Sequence, residues 1–267
     1  MNGITKSNGQ KDYLDRFYTL FSVAKECIDL INLNKYDYII EPSAGTGAFS
    51  SQIPSCLAYD ISPQQELIKE QDFFQLDFTP FLNKKVLVIG NPPFGQQATL
   101  AIKFFNQAAK FADTIAFILP KSFKKDSIQN KLDLNFRLIT QLPLDDCVFE
   151  LPDKQSIAVP CVFQIWERTT CHREKIKKKT TTSLFIFTTK DLADFRIQRV
   201  GGNAGKASTN LNVAISSNYF VKNTSNFSNE ELIKIINESV FPSIEDTVGP
   251  KSLPKGELIE VLEEQLL

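Results

Sequence analysis

The chain is short of the residues that bind metals. Among its 267 residues there is one histidine, His172. Its five cysteines, Cys27, Cys56, Cys147, Cys161 and Cys171, form no C-x-x-C pair. This argues against a zinc site and against a disulfide framework, and it suits a reducing compartment. Cys171 and His172 are neighbours in a polar stretch, whereas catalytic Cys–His partners normally lie far apart in sequence, so the pair reads as loop. No apolar run approaches the ~20 residues of a membrane span. Met1 to Asp12 is polar, without the apolar centre of a signal peptide. A soluble intracellular protein, cytoplasmic or nuclear/nucleoid, is expected. Charge of one sign is missing too: 30 basic residues face 31 acidic ones, a net of −1. There is no global basic field, so any polyanion must be met by local charge. Internal repeats are absent. What is present, 42% hydrophobic and 23% charged residues, describes a globular chain of one large domain, or one domain with a small extension.

The most informative stretch is Val86-Leu87-Val88-Ile89-Gly90-Asn91-Pro92-Pro93-Phe94-Gly95. An apolar, β-branched run predicts a buried strand. It stops at two prolines, which cannot donate to a sheet and hold φ near −65°. In open α/β sheets ligands bind beyond the carboxyl ends of the strands, so this stiff tip carries an amide and an aromatic ring to a place suited to chemistry. A conjugated exocyclic amine is a poor nucleophile. Two acceptors on its two hydrogens favour a pyramidal nitrogen and turn its lone pair outward. The Asn91 side-chain oxygen and the Pro92 carbonyl are such a pair, Pro93 stiffens the tip, and Phe94 offers a face for stacking. Such catalysis works by positioning and needs no metal. The plainer reading of Asn-Pro-Pro is a turn.

Tyr36 to Ile40 predicts a strand running into Glu41-Pro42-Ser43-Ala44-Gly45-Thr46-Gly47-Ala48-Phe49. Gly45 and Gly47 permit a tight turn and close approach to a ligand. The third glycine of a dinucleotide fingerprint is missing, so pyrophosphate is not implied. A second strand, Leu57 to Asp60, ends in a carboxylate about 20 residues past Glu41, where it can accept from ribose hydroxyls; the alternative is that Asp60 merely caps the next helix.

Asn91 to Phe94 resembles the catalytic tip of S-adenosylmethionine-dependent amino-methyltransferases that act on nucleic-acid bases. Glu41 to Phe49 is similar to their cofactor loop, and Phe17-Tyr18-Thr19 to the segment that holds the carboxylate end of the cofactor. The family usually has a proline soon after that threonine; here Leu20 and Phe21 follow. The resemblance covers roughly residues 16 to 168. It implies S-adenosylmethionine held by Tyr18, Thr19, Glu41, Ser43, Gly45, Gly47, Asp60, Ile61 and Asn91. It also implies an acid on the cofactor's adenine with an aromatic beside it: Asp77 and Phe78 are chosen, with Asp72-Phe73 in competition. The implied fold is α/β, a Rossmann-like class I methyltransferase with a mostly parallel seven-stranded sheet and a terminal antiparallel hairpin.

Along the remaining chain, Val23, Cys27, Ile28 and Ile31 share a helical face, and Ala98 to Phe111 predicts an amphipathic helix. Thr114 to Leu119 is an apolar strand ending at Pro120-Lys121, and Phe136 to Leu142 is a further strand. Cys147 to Leu151 and Val159 to Trp166 are expected to pair across a turn at Pro152-Asp153-Lys154. Beyond 168 the composition changes, and residues 169–267 are expected to form a small α+β extension that helps recognise substrate. It holds the polar run from Thr169 to Thr182, a strand at Leu184 to Thr188, an alternating Phe195 to Val200, and helices at Asn229 to Val240 and Gly256 to Leu267. The Gly201-Gly202-Asn203-Ala204-Gly205-Lys206 stretch is one residue short of a phosphate P-loop, and Ala207 stands where Ser or Thr is needed. Phe94, Lys121, Lys177, Lys178, Arg199 and Lys206 are the candidate substrate contacts, since binding must be local.

The implied activity is methyl transfer to adenine N6 in nucleic acid, with DNA ahead of RNA. The loop and the Phe-Tyr-Thr segment look more like the DNA enzymes, while the short extension suits compact RNA enzymes. Cytosine N4, a protein glutamine amide and a non-catalytic binding subunit are the alternatives. A second protein subunit is a further candidate partner, because a nearly neutral chain has little charge of its own for a polyanion. No metal is expected.

Overall fold

The computed structural model describes residues 17–144, 148–246 and 250–267. The chain divides into two compact units, Met1–Lys175 and Ile176–Leu267.

The first unit contains, in chain order, β1 (Tyr18–Thr19), α1 (Phe21–Ile28), β2 (Tyr38–Glu41), β3 (Leu57–Asp60), β4 (Lys69–Glu70), β5 (Val86–Gly90), α2 (Thr99–Ala108), β6 (Thr114–Pro120), α3 (Asp126–Gln129), β7 (Phe136–Leu144), β8 (Val148–Glu150), β9 (Ser156–Ala158) and β10 (Cys161–Arg168). Seven strands form one sheet in the order β4-β3-β2-β5-β6-β10-β7. β2 pairs in parallel with β3 and β5, β3 with β4, and β5 with β6. β10 lies antiparallel between β6 and β7. This is a Rossmann-like sheet with the strand order and polarity of the class I methyltransferase fold.

The central strands follow directly from composition. Every residue of β5 and β6 is buried, as expected for apolar runs covered on both faces of a parallel sheet. β10 is the other central strand, buried from Cys161 to Trp166. It carries one fully buried polar side chain, Gln164, which is satisfied: its amide donates to Gln141 Oε1 (2.7 Å), and its Oε1 accepts from Trp166 Nε1 (3.0 Å).

Two expectations need correction. Residues 148–151 do not pair with the Val159–Trp166 run. β8 pairs with β9 around the Pro152–Lys154 turn and with β1, making a separate three-stranded sheet. The terminal hairpin is formed by β7 and β10 instead. The reason is burial: the apolar β10 run can only be an inner strand, whereas Ser156–Ala158 is largely exposed. Cys147 lies outside the described residues. The second is the helix that Asp60 would cap, which does not form: residues 61–68 are bends and turns. Between β2 and β5 the described connections hold only short 3-10 turns at Ser50–Gln52, Phe73–Gln75 and Thr79–Phe81. Pro54, Pro63 and Pro80 interrupt these connections, which disfavours helix there.

Arg168 to Arg173 stays with the first unit. The Arg168 N–H donates to Asp113 O, that of Thr169 to Asn135 O and that of Arg173 to Leu134 O. The Arg173 guanidinium reaches the Gln129, Leu132 and Phe136 carbonyls. These bonds carry the division from the expected 168 to Lys175.

The second unit contains β11 (Phe185–Phe187), β12 (Phe195–Gln198), β13 (Ala207–Ser208), β14 (Asn218–Asn223), α4 (Asn229–Glu238) and α5 (Lys255–Leu266). Its strands form an antiparallel sheet in the order β11-β14-β12-β13. Phe195, Ile197 and Val221 on one face pack with Leu232 and Ile236 of α4 and Leu258, Ile259 and Leu262 of α5. α4 starts on a capping box between Ser228 and Glu231. No described helix is long and apolar enough to cross a membrane.

Candidate active site

The carboxyl ends of β2, β3 and β5 meet at one cavity of about 370 Å³, a volume typical of small-molecule sites. It brings together Tyr18, Ser43, Gly45, Asp60, Ile61 and the whole Asn91–Phe94 tip, residues that are up to 76 positions apart (94 − 18) in the sequence.

Asn91 lines this cavity. Its Nδ2 donates to the Phe17 carbonyl (3.1 Å). A carbonyl can only accept, so this bond fixes which way the amide faces. Its Oδ1 is buried and has no hydrogen-bond partner among the described residues. An orphaned buried acceptor costs roughly 1–3 kcal/mol and persists where a ligand donor completes it. The Ser43 hydroxyl donates to the Asn91 carbonyl (3.3 Å), tying the glycine loop to the tip. Phe94 is buried, its ring near-parallel to that of Phe17 (6.3 Å, 18°), and Phe149 of β8 meets Phe17 edge-on at 6.0 Å.

The glycine loop is shaped by Gly45, whose φ is +53°; a Cβ there would sit 3.0 Å from the Tyr18 ring. The ring therefore lies directly on the loop, and the backbone N–H of Gly45 is free to donate to Asp60 Oδ2 (2.8 Å). Asp60 Oδ1 accepts from the Ser62 N–H (2.8 Å). The carboxylate thus caps its own turn and also braces the loop. Of the two sequence readings the capping one is seen, at a turn rather than a helix, and the carboxylate also stands at the rim of the cavity.

Glu41 stands behind the loop and does not line the cavity. It is 2% exposed, and its Oε2 accepts from the Ser50 N–H (2.8 Å). Burial pushes its carboxyl up to about 7, against the hydrogen bonds from Ser50 and Phe49 and with a small push from the Asp60 charge. Its neighbour Cys56 is pushed up to about 12, first by burial and then by Glu41. Thr19 is buried in β1 opposite Phe149. Gly47 (φ +79°) closes the turn by donating to Ala44 O (2.7 Å). Neither Thr19 nor Gly47 lines the cavity.

Asp77 and Phe78 lie elsewhere. Asp77 is fully exposed, held below the usual carboxyl range by the Thr79 hydroxyl and N–H. Phe78 stacks on Phe111 (5.5 Å). The competing segment reaches the cavity instead, through Asp72 and Phe74 rather than Phe73, which is buried. Locally the two acids are twins. Asp72 Oδ1 accepts from Phe74 N–H and Asp77 Oδ1 from Thr79 N–H, both at 2.9 Å. What separates them is topology: Asp72 directly follows β4, at the same sheet edge as Asp60. Leu100 and Phe104, one turn apart on α2, complete the apolar wall, and their i, i+4 spacing is the only sequence signal for them.

Of the basic candidates, Lys121 opens the turn after β6 and does not line the cavity; its N–H donates to Pro160 O. In the second unit, Lys178 pairs with Glu260 (3.6 Å) and Lys206 Nζ donates to Asn237 O (2.6 Å). Lys177 is exposed, and Arg199 lies over the Tyr219 ring.

Among the described residues the cavity wall carries two carboxylates, Asp60 and Asp72, and no Lys, Arg or His. Such a site repels phosphates and favours a ligand that is neutral or cationic where it meets the acids. That donor set, the close backbone approach at Gly45 and the orphaned Asn91 oxygen fit S-adenosylmethionine beside an amine. Among the described residues no group of three or more His, Cys, Asp or Glu could hold a metal ion.

No family model and no curated protein matches the chain. Among solved structures, it resembles a candidate RNA methyltransferase from Pyrococcus horikoshii, with a TM-score of 0.46 and 16% identity over 63% of this chain and 93% of that one. It also resembles the modification subunit of a candidate type I restriction enzyme from Vibrio vulnificus, with a TM-score of 0.42 and 17% identity over 58% of this chain and 45% of that one. A Thermoplasma acidophilum protein aligns with a TM-score of 0.41 and 16% identity over 56% of this chain and 89% of that one. The fold assignment itself rests on strand order, polarity and the strand-end loops.

Proposed function

We propose that this chain is an S-adenosylmethionine-dependent methyltransferase acting on the exocyclic N6 amino group of adenine in nucleic acid, DNA ahead of RNA. One observation carries the reading: the Asn91 Oδ1 acceptor is buried and unpartnered among the described residues, on a proline-stiffened tip, in the same cavity as Asp60. Asp60 accepts from the cofactor's ribose hydroxyls. Asp72 accepts from its adenine amino group, with Phe74 beside the ring, in the role first expected of Asp77 and Phe78. The Gly45 turn and Tyr18 border its methionine end. When bound, this cofactor supplies an electrophilic methyl group on a sulfonium.

The chain's own residues then act on the substrate. The target base leaves its stack. Asn91 Oδ1 and the Pro92 carbonyl accept the two amino hydrogens and direct the nitrogen lone pair along the line of attack. Pro92 and Pro93 hold those acceptors still, so little reorganisation is needed as charge develops. Phe94 and the apolar wall exclude water, and the departing proton goes to solvent.

The test is methyl transfer from labelled S-adenosylmethionine to duplex DNA, single-stranded DNA and total RNA in parallel, followed by nucleoside analysis. Label in N6-methyladenine of one pool is the expected result. Normal cofactor binding with no label in any pool would overturn the nucleic-acid target and favour a protein amide.

A further inference from the structure

Two carboxylates and no cation line the cavity among the described residues, so the phosphates of a nucleic-acid substrate are expected to be met by cations elsewhere. In the second unit several cations are already engaged. Lys178, Lys179 and Lys251 pair with Glu260, Glu263 and Glu245, and Lys206 caps the end of α4 through Asn237 O. Two cations differ. Lys255 Nζ lies 4.1 Å above the Phe187 ring and 5.6 Å from that of Tyr219, and the Arg199 guanidinium lies 5.5 Å from the same Tyr219 ring. Both are exposed, and neither has a carboxylate partner among the described residues. The platform beneath them is rigid. Tyr219 of β14 and Phe187 of β11 pack edge-on at 5.4 Å against the core of the unit, and the Tyr219 hydroxyl donates to the Leu253 carbonyl (2.9 Å).

Cations held over aromatic faces lose little rotamer freedom when they meet an anion, and the rings attract them without neutralising them. The rings are covered by these cations, which leaves them poorly placed to stack bases. We infer that Arg199 and Lys255, seated on Tyr219 and Phe187, form a sequence-independent contact surface for the phosphate backbone of a nucleic acid. The inference rests on the reading above, and it names where the polyanion is held.

The experiment is equilibrium binding of a fluorescent 20-base-pair duplex, and of one of its strands, to the full chain from 50 to 200 mM KCl. The unmodified chain is compared with Arg199→Glu/Lys255→Glu, with the milder Arg199→Gln/Lys255→Gln, and with a charge-matched control, Lys222→Glu/Lys234→Glu, at exposed positions of the same unit. Each phosphate contact contributes about 0.9 to the slope of log K against log salt for a duplex. Loss of both cations is therefore expected to lower the slope by about 2, to weaken binding at least tenfold at 100 mM, and to do so alike for unrelated sequences. Circular dichroism checks that the variants fold. Cofactor affinity, measured by calorimetry, is expected to be unchanged. If both Arg199/Lys255 variants match the control in affinity and slope while the unmodified chain binds, the surface is wrong and the proposed activity stands. If the unmodified chain binds neither duplex nor strand, both fail. A loss restricted to one sequence would also overturn the inference, because it would mean base readout.

Discussion

Asn91 has two jobs that separate its variants. Its amide donates to Phe17 and keeps an acceptor free. Asn91→Ala is expected to abolish methyl transfer while cofactor affinity, by calorimetry, is retained. Asp60→Ala is expected to do the reverse first, weakening cofactor affinity tenfold or more, because the Gly45 and Ser62 N–H bonds are lost with it. Asn91→Asp is more telling. An ionised carboxylate cannot donate to the Phe17 carbonyl, but a protonated one can. Residual activity of that variant should rise as pH falls, relative to the unmodified chain, in a pH–rate profile. Glu41 gives a second pH signature. Its carboxyl is raised from 4.5 to about 7 in the folded chain, so the folded state holds a proton that the unfolded state has released. Stability is complete below about pH 4.5 and is lost as pH rises through 7, by up to roughly 3 kcal/mol at 1.36 kcal/mol per pH unit. Glu41→Gln cannot ionise. Thermal melts should find it increasingly more stable than the parent from pH 5 to pH 8, with the gap smallest at pH 5.

At the scale of elements, the site depends on loops that clamp one another. Gly45→Ala combines a left-handed backbone with a Cβ 3.0 Å from Tyr18. A loss of roughly 1–2 kcal/mol in stability is expected from the backbone alone, with a larger loss of cofactor affinity as the ring is pushed off the loop; melts and titration check both. The same scale explains what could be read from sequence. β5 with its tip, the glycine turn and Asp60 were legible because buried runs, prolines and left-handed turns are local signals. Asp72 was not separable from Asp77, since both make the same two-residue cap, and only the pairing of β4 with β3 places one of them at the cavity. The pairing of β8 with β1 was likewise invisible, because Thr19 meets Phe149 through contacts that no short pattern encodes. Phe104 and Leu100 looked like any helix face.

At the scale of the whole molecule, each unit has its own core, and the irregular segment that opens the second unit is fastened to it. Lys178 lies across Gly256, where a Cβ would come within 2.5 Å of it, and Lys178 and Lys179 pair with Glu260 and Glu263 of α5. A fragment of residues 176–267 is expected to fold alone, with a single cooperative melt. A fragment that starts at residue 183 should melt lower, because it loses that strap, and the difference should shrink in high salt. The first unit alone, residues 1–175, should bind S-adenosylmethionine as the full chain does.

The pairing of Thr19 with Phe149 also has a consequence in time. The carbonyl that orients Asn91 belongs to a segment made early in synthesis, but its strand partner emerges only after most of the sheet. Closure over so long a loop is slow compared with local pairing. A nascent or refolding chain is therefore expected to assemble its parallel sheet first and to acquire a correctly turned amide last. Trp166, buried in the sheet, should regain its native fluorescence before the proposed methyl transfer returns, so the docking of β1 would govern the last step of folding.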